Sequence, residues 1–300
     1  MLKHVQHDGR MGEAAPPSDQ LDQPTPVPCL DPLAAAQVVR HKMRQDGVAV
    51  TLTTIGLSAG AGILGGAMNA LAGGGTFATL PALIALGLPA NTANATSNVA
   101  LLPGAATSSW AFRKELQPVG GVNVWLLGGI TFVGGLAGSA LLVVTPTRAF
   151  DLIIPWLLLF AFVVIAFGKQ AADALHSRVA IGQRTLIAAQ TLLGVYGGYF
   201  GGGVGLMTTA IYGLLAGVSP RALFAPRTLM LALANAAAAI VFIAAGLVAW
   251  EAAVPMLVGA VFGGWIGAIV GKRLSPGLVR GWTLLVTAAT TIVFFARAYF

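Results

Sequence analysis

Long apolar segments alternate with short polar ones from residue 48 onward. Crossing a bilayer as an α-helix takes about 20 mainly apolar residues. Eight segments meet that length, at 48–70, 92–112, 121–145, 149–168, 183–200, 222–248, 252–271 and 278–297. The pattern therefore predicts an all-α polytopic membrane protein with eight full spans.

Two further apolar segments are too short to cross as straight helices. They read TFATLPALIALG at 76–87 and VGLMTTAIYGLLAG at 204–217, and each directly follows three consecutive glycines. We therefore expect two short helices that begin at a glycine turn. If both of them cross the bilayer, the total rises from eight spans to ten.

The glycine turns are part of a duplication. The GGG at 73–75 recurs 128 residues later at 201–203, and GGLAG at 134–138 recurs 129 residues later as GGWIG at 263–267. A nearly constant offset over this length indicates two homologous helical repeats. We place the first repeat at 48–168, an inter-repeat loop at 169–182 and the second repeat at 183–300.

The relative orientation of the repeats depends on the two short helices. If these helices cross, each repeat has five spans and the two repeats are inverted; if they are re-entrant, each has four and the repeats are parallel. The distribution of Lys and Arg between the loops favours eight full spans with both termini in the cytoplasm. The sequence leaves both arrangements open.

Composition supports the membrane assignment. Hydrophobic residues make up 56% of the chain and charged residues 9%, and the mean hydropathy is +0.81, unlike a soluble domain. Residues 1–47 differ, because they hold six of the 16 prolines and six of the ten acidic residues, and they predict a disordered cytoplasmic tail. The formal charge of +7 comes largely from basic residues between apolar segments. We therefore expect membrane lipids as partners and no nucleic acid.

Several kinds of chemistry lack the residues they need. The single cysteine, Cys29, lies in the tail, so the membrane region has no thiol. No Asp, Glu, His or Lys lies at the centre of a predicted span. A carboxylate proton relay, a metal centre or a hydrolase therefore has no candidate residues there. We expect neither enzyme activity nor a cofactor.

The glycine turns are candidates for a substrate site. Unwound backbone is tolerated in a bilayer only where it is buried in protein or lines a wet cavity. The free N–H groups and positive dipole end of a short helix suit an anion. We therefore predict substrate binding at Gly73, Gly74, Gly75 and Thr76 in the first repeat, and at Gly201, Gly202 and Gly203 in the second. The alternative is that these glycines only allow close helix packing.

The helix after each short helix adds polar side chains. In the first repeat the candidates are Asn94, Thr96, Ser97 and Asn98, of which the two asparagines share a helix face. In the second repeat they are Arg227, Thr228 and Asn235, with Arg227 at the position of Ser97. A guanidinium in a membrane helix is costly and recognises oxyanions in bidentate fashion. The alternative is that Arg227 extends to the lipid head groups.

The stretch GGGTFATLPALIALGLPANTANATSNVA, at 73–100, resembles the sulfite exporter TauE/SafE family of bacterial anion permeases. The glycine run, the following G-L step and the A-T-S helix start carry the resemblance, which covers about 48–297. The second repeat departs from the pattern with APRT at 225–228. The resemblance implies a multi-pass protein of the bacterial inner membrane that exports sulfite, a sulfonate or a related small anion, bound between the repeats. A permease for another small organic anion and a non-transporting assembly factor remain alternatives, and a homo-oligomer is left open.

Overall fold

A computed structural model of the chain describes residues 52–176, 182–219, 222–271 and 274–300. In these residues the chain forms α1 Leu52–Leu71, α2 Thr76–Ala85, α3 Ala90–Ala111, α4 Val124–Val144, α5 Thr147–His176, α6 Gln183–Tyr199, α7 Val204–Ala216, α8 Phe224–Ala244, α9 Trp250–Gly271 and α10 Pro276–Tyr299. The predicted all-α class is therefore confirmed. The predicted tail at 1–47 lies outside the described residues. The predicted inter-repeat loop begins inside α5, which continues to His176.

Six helices in the described part of the chain are long and apolar enough to cross a membrane, namely α1, α4, α5, α8, α9 and α10. The expectation of eight full spans is not confirmed. Helix α3 has 22 residues but opens with the polar sequence ANTANATSN, and α6 has only 17 residues and opens with QRT. The two glycine-started helices are short, as predicted, with 10 residues in α2 and 13 in α7.

Several helix–helix interfaces occur in matched pairs. The contact of α1 with α9 corresponds to that of α6 with α4. In the same way, α3 with α9 corresponds to α8 with α4, and α2 with α10 corresponds to α7 with α5. Exchanging α1–α5 with α6–α10 therefore leaves this pattern unchanged. We refer to α1–α5 as the first unit and to α6–α10 as the second unit.

Equivalent helices of the two units run in opposite directions, as α3 and α8 show. Phe112, just after the end of α3, makes an edge-to-face contact with Phe224 at the start of α8, with ring centroids 4.7 Å apart. Earlier in α3, Ala105 shares a buried cluster with Leu231, which lies further along α8. Residues further along α3 therefore lie beside residues earlier in α8, so the two helices are antiparallel.

The contact between α5 and α10 has the same antiparallel sense. Asp151 near the start of α5 pairs with Arg297 near the end of α10, and the carbonyl of Ala166 accepts a hydrogen bond from Arg280 near the start of α10. Two independent pairs of equivalent helices are therefore antiparallel. The two units are inverted relative to each other, and each short helix reverses the direction of the chain. This settles the question of orientation that the sequence left open.

Small residues allow the longest interfaces to form by direct backbone contact. A Cβ added to Gly66 of α1 would lie 2.1 Å from the carbonyl oxygen of Ala260 in α9. In the matching interface, a Cβ on Gly138 of α4 would lie 2.0 Å from the carbonyl oxygen of Val195 in α6. Close backbone approach of this kind is a main source of helix association in a bilayer, where the apolar solvent provides no hydrophobic drive.

Candidate functional site

The two glycine turns meet each other between the units. A Cβ added to Gly73 would lie 2.8 Å from the Cα of Gly205, and one added to Gly205 would lie 3.0 Å from the Cα of Gly73. Gly73, Gly201 and Gly203 have φ values of 82°, 72° and 75°, in the left-handed region that favours glycine. The two short helices thus begin beside each other.

Aromatic rings fill the space around these turns. Phe77 lies against Gly74 and Gly203, and Phe200 lies against Gly202. All six glycines of the two runs are buried, and so is Thr76. In this conformation the turns are packed by protein, so their N–H groups do not face an open cavity.

Asn69 supports the first glycine turn and was not among the site residues predicted from the sequence. Its side-chain oxygen accepts a hydrogen bond of 2.8 Å from the backbone N–H of Gly75. The amide NH₂ group therefore remains available to donate elsewhere. Its position in the sequence could have indicated this role, because it is an asparagine inside an apolar helix, four residues before a glycine run. In the prediction it was simply part of the span at 48–70.

A narrow cleft beside the first turn has room for about one water molecule, at about 10 Å³. Its polar lining is Asn69, Ser108 and Thr228, and glycines and alanines form most of the rest. Helices α1 and α3 of the first unit and α8 and α9 of the second contribute to it. The cleft therefore lies between the units, and three uncharged polar side chains line it.

Arg227 lies next to Thr228 and directs its charge into the protein. The residue is 9% exposed, and its guanidinium donates a hydrogen bond of 3.1 Å to the carbonyl of Leu71, the last residue of α1. The guanidinium carbon is 4.3 Å from the centroid of the Phe224 ring, a cation–π distance. Among the described residues, no carboxylate lies within 4.0 Å of this guanidinium.

Asn94 and Asn98 use their amide NH₂ groups inside the protein. Asn94 donates to the carbonyl of Tyr199, the last residue of α6, at 3.1 Å, and Asn98 donates to the carbonyl of Asn94 at 2.9 Å. The side-chain oxygens of both asparagines are buried and accept no hydrogen bond from the described residues. These residues therefore present acceptors rather than donors at this place. The side-chain oxygen of Asn98 also lies against Gly201.

The other predicted residues lie in the surrounding packing. Ser97 bonds to Thr79 of α2, Thr96 accepts from the backbone N–H of Ala249, and Thr228 donates to the carbonyl of Ala225. The side-chain oxygen of Asn235 is buried without a donor among the described residues. The structure thus brings Arg227, Thr228 and the first glycine turn together, and Asn94, Asn98 and the second turn together.

The chain was compared with known proteins. The sequence profile of the family described as Sulfite exporter TauE/SafE matches residues 58–294. A "Probable membrane transporter protein" of Haemophilus influenzae is 26% identical over 231 residues, which cover 77% of this chain and 90% of that protein. The "Probable membrane transporter protein YfcA" of Escherichia coli K12 is 27% identical over 231 residues, covering 75% and 84%. No solved structure matches the chain significantly.

Proposed function

Because this chain belongs to the sulfite exporter TauE/SafE family, we propose that it is a secondary transporter that exports sulfite, or a related small sulfur oxyanion or sulfonate, across the bacterial inner membrane. Membership makes it a membrane transporter, and the printed names of the relatives agree with that. The identity of the substrate and the place where it binds are the parts proposed here.

The observation that carries the proposal is the buried, uncompensated charge of Arg227. A buried guanidinium is costly unless it is paired, and here only a carbonyl and an aromatic ring contact it. A diffusible anion would supply the missing charge. The planar guanidinium forms paired hydrogen bonds with oxyanions, which matches the oxygens of sulfite and sulfonates.

In this proposal the remaining contacts come from the cleft that Thr228, the residue after Arg227, helps to line. The amide NH₂ of Asn69 and the hydroxyl of Ser108 line it and are neutral donors that suit the oxygens of an anion, whereas the Thr228 hydroxyl already donates to the carbonyl of Ala225. The cleft is too small for sulfite in this conformation, so binding requires the units to separate slightly. Both units contribute lining residues, and a movement between the units would therefore open and close it.

We further propose ten crossings, five in each unit, in place of eight full spans. Inverted units with short helices that start at a central turn support alternating access by rocking of one unit against the other. Two of the hydrogen bonds that cross between the units end on equivalent carbonyls, from Arg227 to Leu71 and from Asn94 to Tyr199. Breaking one while keeping the other would open the protein on one side at a time.

The membrane potential supports the outward direction. Moving one elementary charge across it changes the free energy by about 2.3 kcal/mol per 100 mV. With the cytoplasm negative, this term favours the exit of a monovalent anion. Export of such an anion therefore needs no carboxylate proton relay.

The test is a flux assay with the full chain reconstituted in sealed vesicles. Sulfite, sulfoacetate, taurine and thiosulfate are loaded in parallel, and counterflow of each is measured against empty vesicles. The proposal expects counterflow of sulfite or of a sulfonate. Counterflow of an unrelated organic anion alone would place the substrate elsewhere, and the absence of any flux would favour a non-transporting assembly factor.

A further inference from the structure

Two side-chain amide oxygens of α3, those of Asn94 and Asn98, are buried near the end of α6. Their orientation is fixed, and they accept no hydrogen bond from the described residues. The NH₂ group of Asn94 donates to the carbonyl of Tyr199, and that of Asn98 donates to the carbonyl of Asn94. Flipping either amide would set two oxygens against each other, so these bonds determine which atom is the oxygen. Asn94 is 0% exposed and Asn98 1% exposed, so neither oxygen reaches solvent. Each unpaired oxygen costs about 1–3 kcal/mol unless something binds it.

Backbone carbonyl oxygens at the end of α6 lie close to this pair of asparagines. Helix α6 ends at Tyr199, and the last carbonyls of a helix carry its negative dipole end. Asn94 and Asn98 are four residues apart on α3, so their side chains share the face of the helix that meets this end. The group is therefore made of neutral oxygen acceptors, which suit a cation better than an anion.

The end of α1 in the first unit is the position equivalent to the end of α6. Tyr199 follows Leu71 by 128 residues, the spacing of the two glycine runs, and each is the last residue of its helix. At Leu71 the carbonyl receives a cation, the guanidinium of Arg227, at 3.1 Å. At Tyr199 the carbonyl receives the neutral amide of Asn94 instead. The first helix end has a built-in positive charge and the second does not.

We propose that the end of α6 binds a monovalent cation, Na⁺, through the side-chain oxygens of Asn94 and Asn98 together with backbone carbonyls at the end of α6. Oxygen ligands suit hard cations. The absence of a carboxylate among these ligands disfavours Ca²⁺ and Mg²⁺, whose sites use carboxylates. Helix C-terminal ends and unwound carbonyls bind Na⁺ in inverted-repeat transporters generally.

This inference goes beyond the proposed function, because the cation site stands on these oxygens whatever anion is transported. If the proposed function also holds, the bound cation would balance the charge of the anion across the meeting point of the glycine turns. Anion flux would then respond to a Na⁺ gradient, and it would respond less to the membrane potential than flux of the anion alone, because a co-transported cation cancels the charge that is moved. Binding and flux are therefore measured separately.

The binding test uses the purified full chain in detergent, with no sulfur anion present. Thermal unfolding is followed while NaCl replaces choline chloride at constant ionic strength, and a KCl series is run in parallel. A ligand that binds only the folded state makes Tm rise with its concentration. The proposal expects a saturable rise of Tm with Na⁺. Equal Tm values in Na⁺ and choline would overturn it.

Three variants locate the effect. Asn98→Ala removes one ligand and is expected to weaken Na⁺ binding at least about tenfold. Asn98→Ser keeps a hydroxyl that can still donate to the backbone carbonyl of Asn94 but withdraws the oxygen ligand, so it is expected to fold and to weaken Na⁺ binding, which also covers the case in which Asn98→Ala does not fold. Ser58→Ala, which removes a buried unpaired hydroxyl from α1, is the control and keeps the wild-type response. A full Na⁺ response in Asn98→Ala or in Asn98→Ser would place the ion elsewhere.

Flux separates the failure of this inference from the failure of the proposed function. Na⁺-dependent stability without any anion counterflow would retain the cation site and remove the transport proposal. Counterflow of sulfite with no effect of Na⁺ on stability would retain transport and remove the cation site.

Discussion

Arg227 and Leu71 are joined by a hydrogen bond of 3.1 Å that connects the start of α8 in the second unit to the end of α1 in the first. The equivalent carbonyl, that of Tyr199 at the end of α6, accepts a bond of the same length from Asn94 of α3. Each unit is therefore bonded to the last helical carbonyl of the other. One bond is charged and the other is neutral, so the two crossing bonds are unequal in strength.

Replacing Arg227 by Gln is expected to reduce sulfite counterflow by a factor on the order of 30 or more. The reason is that removing a buried, hydrogen-bonded charge from a recognition site costs about 2 kcal/mol or more. The measurement is the initial rate of sulfite counterflow in reconstituted vesicles. Arg113→Gln is the matched control, because Arg113 is exposed, stacks on Trp110 and bonds to the carbonyl of that residue. Unchanged counterflow in Arg227→Gln would remove Arg227 from the substrate site.

The inverted arrangement predicts that the loop after α3 and the loop after α8 face opposite sides of the membrane. Cysteines are placed in separate Cys29→Ser chains at two exposed positions: Gln117, in the loop after α3, and Glu251, in the first turn of α9 directly after the loop that follows α8. Sealed vesicles of one orientation are treated with a membrane-impermeant maleimide. One cysteine is expected to react directly, and the other only after the vesicles are opened. Parallel units would give the same result at both positions.

Gly73→Ala is expected to abolish transport and to lower stability more than Gly87→Ala does. Both glycines have positive φ, 82° and 87°, so each substitution carries a left-handed strain of about 1–2 kcal/mol. Only at Gly73 does the added methyl group also meet backbone, at 2.8 Å from the Cα of Gly205. At Gly87 nothing lies within 4 Å. Thermal unfolding and counterflow of both variants separate strain from contact, and equal losses would show that the contact between the turns is unimportant.

Asn69→Asp is expected to keep the fold and lose transport. A carboxylate still accepts the hydrogen bond from the N–H of Gly75, which is worth about 1 kcal/mol, and a negative charge near a helix start is favourable. The same charge would repel an anion from the cleft. Asn69→Ala is the comparison, because it loses the acceptor and is expected to unfold at a lower temperature. An Asn69→Asp protein that transports sulfite normally would exclude the cleft as the anion path.

The sequence by itself determined the parts of this protein that depend on local physics. Hydropathy sets which segments form membrane helices, because the bilayer admits only backbone whose hydrogen bonds are satisfied within the segment. The glycine runs set where the two short helices begin, since positive φ at Gly73, Gly201 and Gly203 is a local requirement. Arg227 was visible as a candidate because a guanidinium in an apolar helix is expensive wherever it lies.

The tertiary structure decided what depends on residues far apart in the chain. The direction of the two units follows from which ends of α3 and α8 meet, whereas the loop charges had favoured eight spans and therefore parallel units. The bonds of Asn94 and Arg227 reach carbonyls 105 and 156 residues away. Whether an amide offers its donor or its acceptor depends on which group lies opposite, because the same side chain carries both. Only the folded chain shows that Asn94 and Asn98 present oxygens while Arg227 presents charge.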